Sequence, residues 1–253
     1  MSGALVAIER DGEIAVIVLQ RPEARNAMNV ELAGATCEAM RDCQDAGAIV
    51  LTGADPAFCA GLDLRNLGTD RLVDLPPFVA SVSESAVPVV AAVNGPAVTG
   101  GFELALACDF IVASERAAFA DTHLRVGVYP GPVLVELPRR VGMAWAREMS
   151  LTGNFVDAAT AGRIGIANHV VAHDELLPFA RELAHAIAEQ DRAMVARMRE
   201  DWDATGELPL AEAHRVHGEF ARGSMSPSHD QHDLASHRDA VLERSREQRR
   251  VDG

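Results

Sequence analysis

The chain opens on two apolar runs, residues 4–9 and 13–19, on either side of Asp11-Gly12. Glycine after aspartate supplies the positive φ that tight hairpin turns require, so the pair predicts a β-hairpin. Over 29–44 the apolar positions recur at helical spacing, and 48–52 is a short apolar run that stops at Gly53. That pattern predicts a helix followed by a buried strand. The alternation then returns. Pro76 and Pro77 interrupt a helical stretch, 87–93 reads as a buried strand, a helix starts at Gly100, and 110–113 forms another strand. Strands alternating with helices pair mostly in parallel, which places the chain in the α/β class. From Asp174 onward the spacing is that of amphipathic helices, predicted over 174–189, 191–204, 209–222 and 232–248, with breaks near Gly206 and at Ser226-Pro227.

With 253 residues, 48% of them hydrophobic and 24% charged, the chain can bury a large core, and one domain with a helical appendage is expected. A net charge of -14 argues against a nucleic-acid partner, because phosphate neutralisation needs a basic face. The sequence contains no lysine. An anionic ligand must therefore meet arginine, histidine or backbone N–H groups at helix starts. The longest apolar stretch, 86–93, is broken by Pro88 and falls far short of the roughly 20 residues that cross a bilayer. The first residues also lack a signal-peptide pattern, so a soluble, cytoplasmic protein with no membrane partner is expected.

Cys37, Cys43, Cys59 and Cys108 form no CxxC pair and are expected to be reduced core thiols without a metal. The polar stretch 223–237 holds His229, His232 and His237. Its HxxH spacing suits zinc, but no third well-spaced ligand accompanies it, and a solvated surface is the simpler reading. Dinucleotide, nucleoside-triphosphate, metalloprotease and serine-hydrolase signatures are all missing from the sequence.

The stretch NGPAVTGGFELALACDF, residues 94–110, carries the main candidate chemistry. A helix start leaves N–H groups without internal partners and bears partial positive charge. Gly100 and Gly101 let a ligand approach those donors closely, and Glu103 lies one turn on, among Phe102, Leu104, Ala105 and Leu106. An acid there either faces an apolar pocket, with its pKa driven up towards acid/base use, or merely complements the helix dipole from the surface. A second segment, ADPAFCAGLDLRNL at 54–67, follows a buried strand and makes a small-residue turn before Leu62, where another free N–H could face the same oxygen.

Together these stretches resemble the enoyl-CoA hydratase/isomerase (crotonase) family. The resemblance rests on LQRPEARNAMN at 19–29, FCAGLDL at 58–64, AAVNGPAVTGGFELALACDFIVASERAAFA at 91–120 and MSLTGNFVDAATAGRIGIANHVV at 149–171, in family order. It implies a crotonase-like spiral of repeated ββα units over 1–190, holding the CoA and acyl site, and a C-terminal helical trimerisation region over 191–253. It implies an oxyanion hole made by the backbone N–H groups of Leu62 and Gly100, with Glu103 matching the first of two catalytic glutamates. Ala24, Arg25, Ala60, Asp63 and Leu64 match segments that line coenzyme A, and Gly101, Pro130 and Gly131 fall in substrate-binding segments. The implied activity is hydration of 2-enoyl-CoA, with isomerisation, decarboxylation, thioester hydrolysis or CoA-ester binding without turnover as the alternatives. The implied partners are an acyl-CoA substrate and further copies of the chain in a homotrimer or a hexamer of paired trimers, with no cofactor beyond the coenzyme A of the substrate.

Two departures stand out. Aligned on Phe119 and Gly127, the second glutamate position is His123, which either transfers a proton or is held structurally in a turn. The glycine-rich loop that usually follows is replaced by Pro130-Gly131-Pro132-Val133-Leu134, where proline fixes φ and removes a donor. Arg65 either meets a CoA phosphate or is a surface arginine.

Overall fold

The computed structural model describes residues 4–66 and 75–222, together with the helical positions Arg238, Leu242 and Arg246. The helix expected over 232–248 and the histidines at 229, 232 and 237 otherwise lie outside the described residues. β1 (Val6–Asp11) and β2 (Ile14–Leu19) form the expected hairpin with Asp11 opposite Ile14. The turn residues are thus Gly12, at φ +58°, and Glu13, one position later than Asp11-Gly12.

β2 then pairs in parallel with β3 (Ala48–Gly53), β3 with β4 (Val89–Val93), β4 with β6 (Phe110–Ser114) and β6 with β9 (His169–Val171). A smaller sheet holds β5 (Pro96–Val98), β7 (Ala118–Ala120) and β8 (Val156–Asp157). One pattern recurs: a strand in the large sheet, a short step in the second layer, then a helix. β2 leads to Met28, bridged to Leu62, and then α1 (Val30–Asp42); β3 leads to Cys59, bridged to Ala97, and then α2 (Phe78–Ser83). β4 leads to β5 and α3 (Gly100–Leu106), and β6 to β7 and α4 (Val133–Thr152). This is the ββα spiral.

The large sheet is apolar on both faces, which explains why its strands read as continuous hydrophobic runs rather than alternating ones. Ala15, Ile17, Leu19, Ile49, Leu51, Ala91 and Val93 join the core beneath α1, α2 and α3. Their neighbours Ile14, Val16, Ala48, Val50, Val90 and Ala92 face Leu176, Ala180 and Ala184 of α6 (Leu176–Ala188). Local signals set the ends: Asn29 caps α1 by accepting from Leu32 N–H, and Asp157 caps α5 (Ala158–Ile164) by accepting from Thr160 N–H.

Several elements differ from expectation. Pro76 and Pro77 precede α2 rather than interrupt a helix among the described residues, as proline's fixed φ suits a helix start. α4 has no counterpart in the predicted elements, because Pro138 and a non-helical Gly142 (φ 77°, ψ 161°) break its apolar spacing. β5, β7, β8 and β9 span only two or three residues each.

The chain divides into two compact units, Met1–Glu189 and Gln190–Gly253. In the second, Asp191 caps α7 (Arg192–Thr205), and Arg197 reaches across to the Phe220 carbonyl at the end of α8 (Leu210–Phe220).

Candidate active site

The two loops singled out in the sequence are zipped together. Cys59 N–H donates to Pro96 O at 3.2 Å and Val98 N–H to Cys59 O at 3.0 Å. Two glycines sit where the backbones touch. A Cβ on Gly101 would fall 2.0 Å from the Cys59 carbonyl oxygen, and one on Gly61 would fall 1.9 Å from Thr99 Oγ1 and 2.7 Å from Val98 O. Gly61 also has φ +87°, a region that favours glycine. Leu62 follows Gly61 on one loop, and Gly100 follows Thr99 on the other, so each lies next to this contact.

Neither of their N–H groups donates to a protein acceptor among the described residues. Gly100 precedes the first intrahelical bond of α3, from Glu103 N–H to Thr99 O. At Leu62 the flanking bonds, Met28 N–H to Gly61 O and Asp63 N–H to Met28 O, use the other edge of the strand. Thr99 turns the chain between β5 and α3 at φ 47° and ψ -116°. A β-branched residue there carries about 1–3 kcal/mol of backbone strain.

Glu103 is 7% exposed, so the apolar-pocket reading holds and the surface-dipole alternative does not. Its Oε1 accepts from Gly131 N–H at 3.0 Å and Val133 N–H at 3.3 Å. Gly131 therefore sits against the carboxylate; a Cβ there would come within 2.9 Å of Oε1. Pro130 beside it is buried, whereas Gly131 is exposed. Burial drives the Glu103 carboxyl above the usual carboxylate range, with His123 and the two amides pulling the other way.

Glu103 Oε2 lies 4.0 Å from Nε2 of His123, which is 5% exposed at the start of a 3-10 turn, His123–Val126. Sequence reasoning missed the residue behind it. Asp121, 1% exposed, takes the His123 Nδ1–H on Oδ1 at 2.7 Å and the His123 backbone N–H on the same oxygen at 3.3 Å. Burial pushes the Asp121 carboxyl up, but the bond from His123, with the nearby Ser150 hydroxyl adding to it, outweighs burial and holds the group below its ordinary value. Because the carboxylate is ionised and can only accept, Nδ1 must carry the proton. Burial lowers the His123 pKa, and the bond to Asp121 and the charges of Glu103 and Asp121 more than reverse that, leaving it raised. The signal in the sequence was the Asp-x-His spacing.

The residues expected to line coenzyme A form a second group. Ala60 N–H donates to Arg25 O at 3.0 Å, which joins Ala24 and Arg25 to Ala60. Asn26 anchors their loop by donating to the Ala54 and Ala57 carbonyls and accepting from Arg21 N–H. Leu64 is 62% exposed. The Asp63 carboxylate is engaged by Arg65 and Arg21, each with a 2.8 Å contact, and the Arg65 side chain lies exposed at the surface. Arg65 is the largest influence holding Asp63 well below the usual carboxylate range, and Arg21 adds to it.

Burial pushes the Cys59 thiol up to about 12, too high for a nucleophile at neutral pH. Among the described residues no group of three or more His, Cys, Asp or Glu is placed to hold a metal. Among them, too, no helix is long and apolar enough to cross a membrane.

A ββα spiral with a buried glutamate one turn into the helix that starts at Gly100 belongs to one broad class of proteins. A sequence model of the enoyl-CoA hydratase/isomerase family matches residues 9–236, and the chain belongs to that family. Its fold is the crotonase fold. The chain is 37% identical over 237 residues to an Arabidopsis thaliana protein named "Probable enoyl-CoA hydratase 1, peroxisomal", covering 89% of each sequence. It is similar to the crystal structure of an enoyl-CoA hydratase from Mycobacterium smegmatis (40% identity, TM-score 0.71, 87% of this chain and 100% of that one). It is also similar to an enoyl-CoA hydratase from Bacillus anthracis (26% identity, TM-score 0.84, 95% and 96%).

Proposed function

We propose that this protein is an acyl-CoA enzyme that adds water across the double bond of 2-enoyl-CoA thioesters, a lyase reaction. The observation that carries the proposal is the 4.0 Å gap between Glu103 Oε2 and His123 Nε2 beside the Gly100 helix start. One oxygen roughly 2.8 Å from both atoms would subtend an angle of about 90°, which suits a water donating to one and accepting from the other.

In this reading the N–H groups of Leu62 and Gly100 hold the thioester oxygen and stabilise the enolate that forms when the β-carbon is attacked. Glu103 takes a proton from the water as its oxygen bonds to the β-carbon. His123 gives its Nε2 proton to the α-carbon as the enolate collapses. Glu103 is then protonated and His123 neutral, and one proton passing from Oε2 to Nε2 restores the starting state. Coenzyme A would lie along Ala24, Arg25, Ala60 and Leu64, with Asp63 bracing that loop through its arginines.

A second reading has the same oxygen cradle serve decarboxylation or thioester hydrolysis; the imidazole at the second acid position counts against isomerisation, whose acid is expected there. The family resemblance also supports a trimer or paired trimers and no separate cofactor; light scattering of the purified protein measures the assembly.

Crotonyl-CoA incubated with purified protein should lose the absorbance of its conjugated thioester. If it does not, while CoA esters still bind, the hydratase reading fails, and mass spectrometry of a panel of acyl-CoA esters identifies the reaction instead.

A further inference from the structure

His123 is held by more than packing. Asp121 directly follows the short strand β7, and its Oδ1 collects both the ring Nδ1–H and the backbone N–H of His123, which fixes the imidazole relative to its own peptide. The other carboxylate oxygen, Oδ2, is buried with no partner at hydrogen-bonding distance among the described residues, although the Ser150 hydroxyl of α4 helps keep the group ionised. Burying a carboxylate with half its bonding capacity unused is costly unless its charge is needed there.

The imidazole thus stands between two acids, Asp121 at 2.7 Å on one nitrogen and Glu103 at 4.0 Å from the other. Among the described residues these two carboxylates are the charges that act on the ring. The Arg125 guanidinium donates to Thr152 O and the Asn154 side chain, and that of Arg140 to the Leu106 and Cys108 carbonyls. With both acids ionised, a neutral His123 would leave two buried negative charges uncompensated, and a proton on Nε2 removes one of them.

We propose that Asp121 is a positioning residue for the reaction proposed above: it fixes the proton on Nδ1 and turns a charged Nε2–H towards Glu103, making His123 the proton donor and Glu103 the only base. Two carboxyl groups facing one water need one of them neutral to donate. Here the division of labour is chemical, imidazolium against carboxylate, and Asp121 enforces it without changing its own protonation. The inference rests on the hydratase reading for its reaction, but the state of His123 is measurable without turnover.

The test is a titration of His123 by nitrogen-15 NMR, with its signals assigned by their loss in His123→Gln, alongside the pH dependence of crotonyl-CoA hydration. In the wild type above its midpoint, His123 should keep the proton on Nδ1 and leave Nε2 bare; a proton on Nε2 instead would overturn the proposal. In Asp121→Asn the midpoint should fall by about one unit or more. The alkaline limb of the rate profile should fall with it, and kcat should drop about 10- to 100-fold, in the range seen for partners that orient a histidine, with KM little changed. An unchanged midpoint in folded Asp121→Asn, or a loss confined to KM, would refute the role. If the titrations behave as expected but the wild type does not hydrate enoyl-CoA, the hydratase reading falls and Asp121's hold on the imidazole stands. The wild-type tautomer decides the case even if the variant does not fold.

Discussion

Replacing Gly61 by alanine perturbs the loop junction without touching either proposed donor. The added Cβ would lie 1.9 Å from Thr99 Oγ1 and 2.7 Å from Val98 O. The first contact is eased by a side-chain rotation, but the second is backbone and demands that the loops part by something on the order of 1 Å. A side chain at φ +87° adds about 1–2 kcal/mol, and overpacking a tight contact about 1–3 kcal/mol more. The sum, roughly 2–5 kcal/mol, lowers Tm by about 5–15 °C in a chain of this length. Moving the Leu62 N–H off its target removes one oxyanion donor, about 2.7–4 kcal/mol, or 100- to 1000-fold in kcat. The assay is crotonyl-CoA hydration with calorimetry on the same samples. Adding Thr99→Gly, which removes the nearest clashing atom and tolerates the same backbone, should restore roughly 1 kcal/mol, about fivefold in rate. A folded Gly61→Ala protein with unchanged Tm and kcat would show that the junction does not aim the amides.

Four other outcomes are expected. Glu103→Gln keeps an acceptor for the Gly131 and Val133 amides but no base, so kcat should fall about 100- to 10,000-fold, with CoA-ester binding and Tm maintained; a fall below tenfold would remove Glu103 from the chemistry. His123→Ala should cost about 100-fold or more in kcat, and an unchanged rate would end its role as donor. The wild-type rate should rise through a limb above the ordinary carboxylate range, because Glu103 must lose a proton its burial holds on, and fall through a limb above the ordinary histidine range, because His123 must keep one; a rate still climbing past about pH 9 contradicts the imidazolium. Asp63 has a depressed folded pKa, so its stabilisation is present above its unfolded value of about 3.9 and is lost as pH falls. Asp63→Asn should therefore cost about 3 kcal/mol by denaturant titration at neutral pH, and the gap from wild type should begin to narrow only below about pH 4 and keep shrinking as pH falls further; a gap constant with pH would place the cost elsewhere.

The fold was legible wherever one local rule acted alone. The turn glycine at 12, the cap at Asn29 and the two-faced apolar runs of β3 and β4 each carry their conformation in a few adjacent residues. α4 was hidden because its apolar stripe is interrupted by Pro138 and by the kink at Gly142, and its burial is decided by the elements it packs against. In the candidate site, Glu103 was visible from the glycines before it. Asp121 was not, since its meaning depends on a ring two residues on and a carboxylate eighteen residues back, brought within reach only by the turn of the spiral. Gly61 showed itself as a turn residue but not as the contact point with Thr99, which is a matter of tertiary packing.

The unusual backbone of Thr99 has an effect on affinity. Its N–H is bonded to Ala120 O, and Gly61 blocks its other side, so the peptide cannot relax when the cleft empties. Folding itself sustains the distortion, in every molecule and at every moment. For the amides proposed above as donors, this means that an arriving guest meets them already set in place and spends little of its binding energy on arranging them.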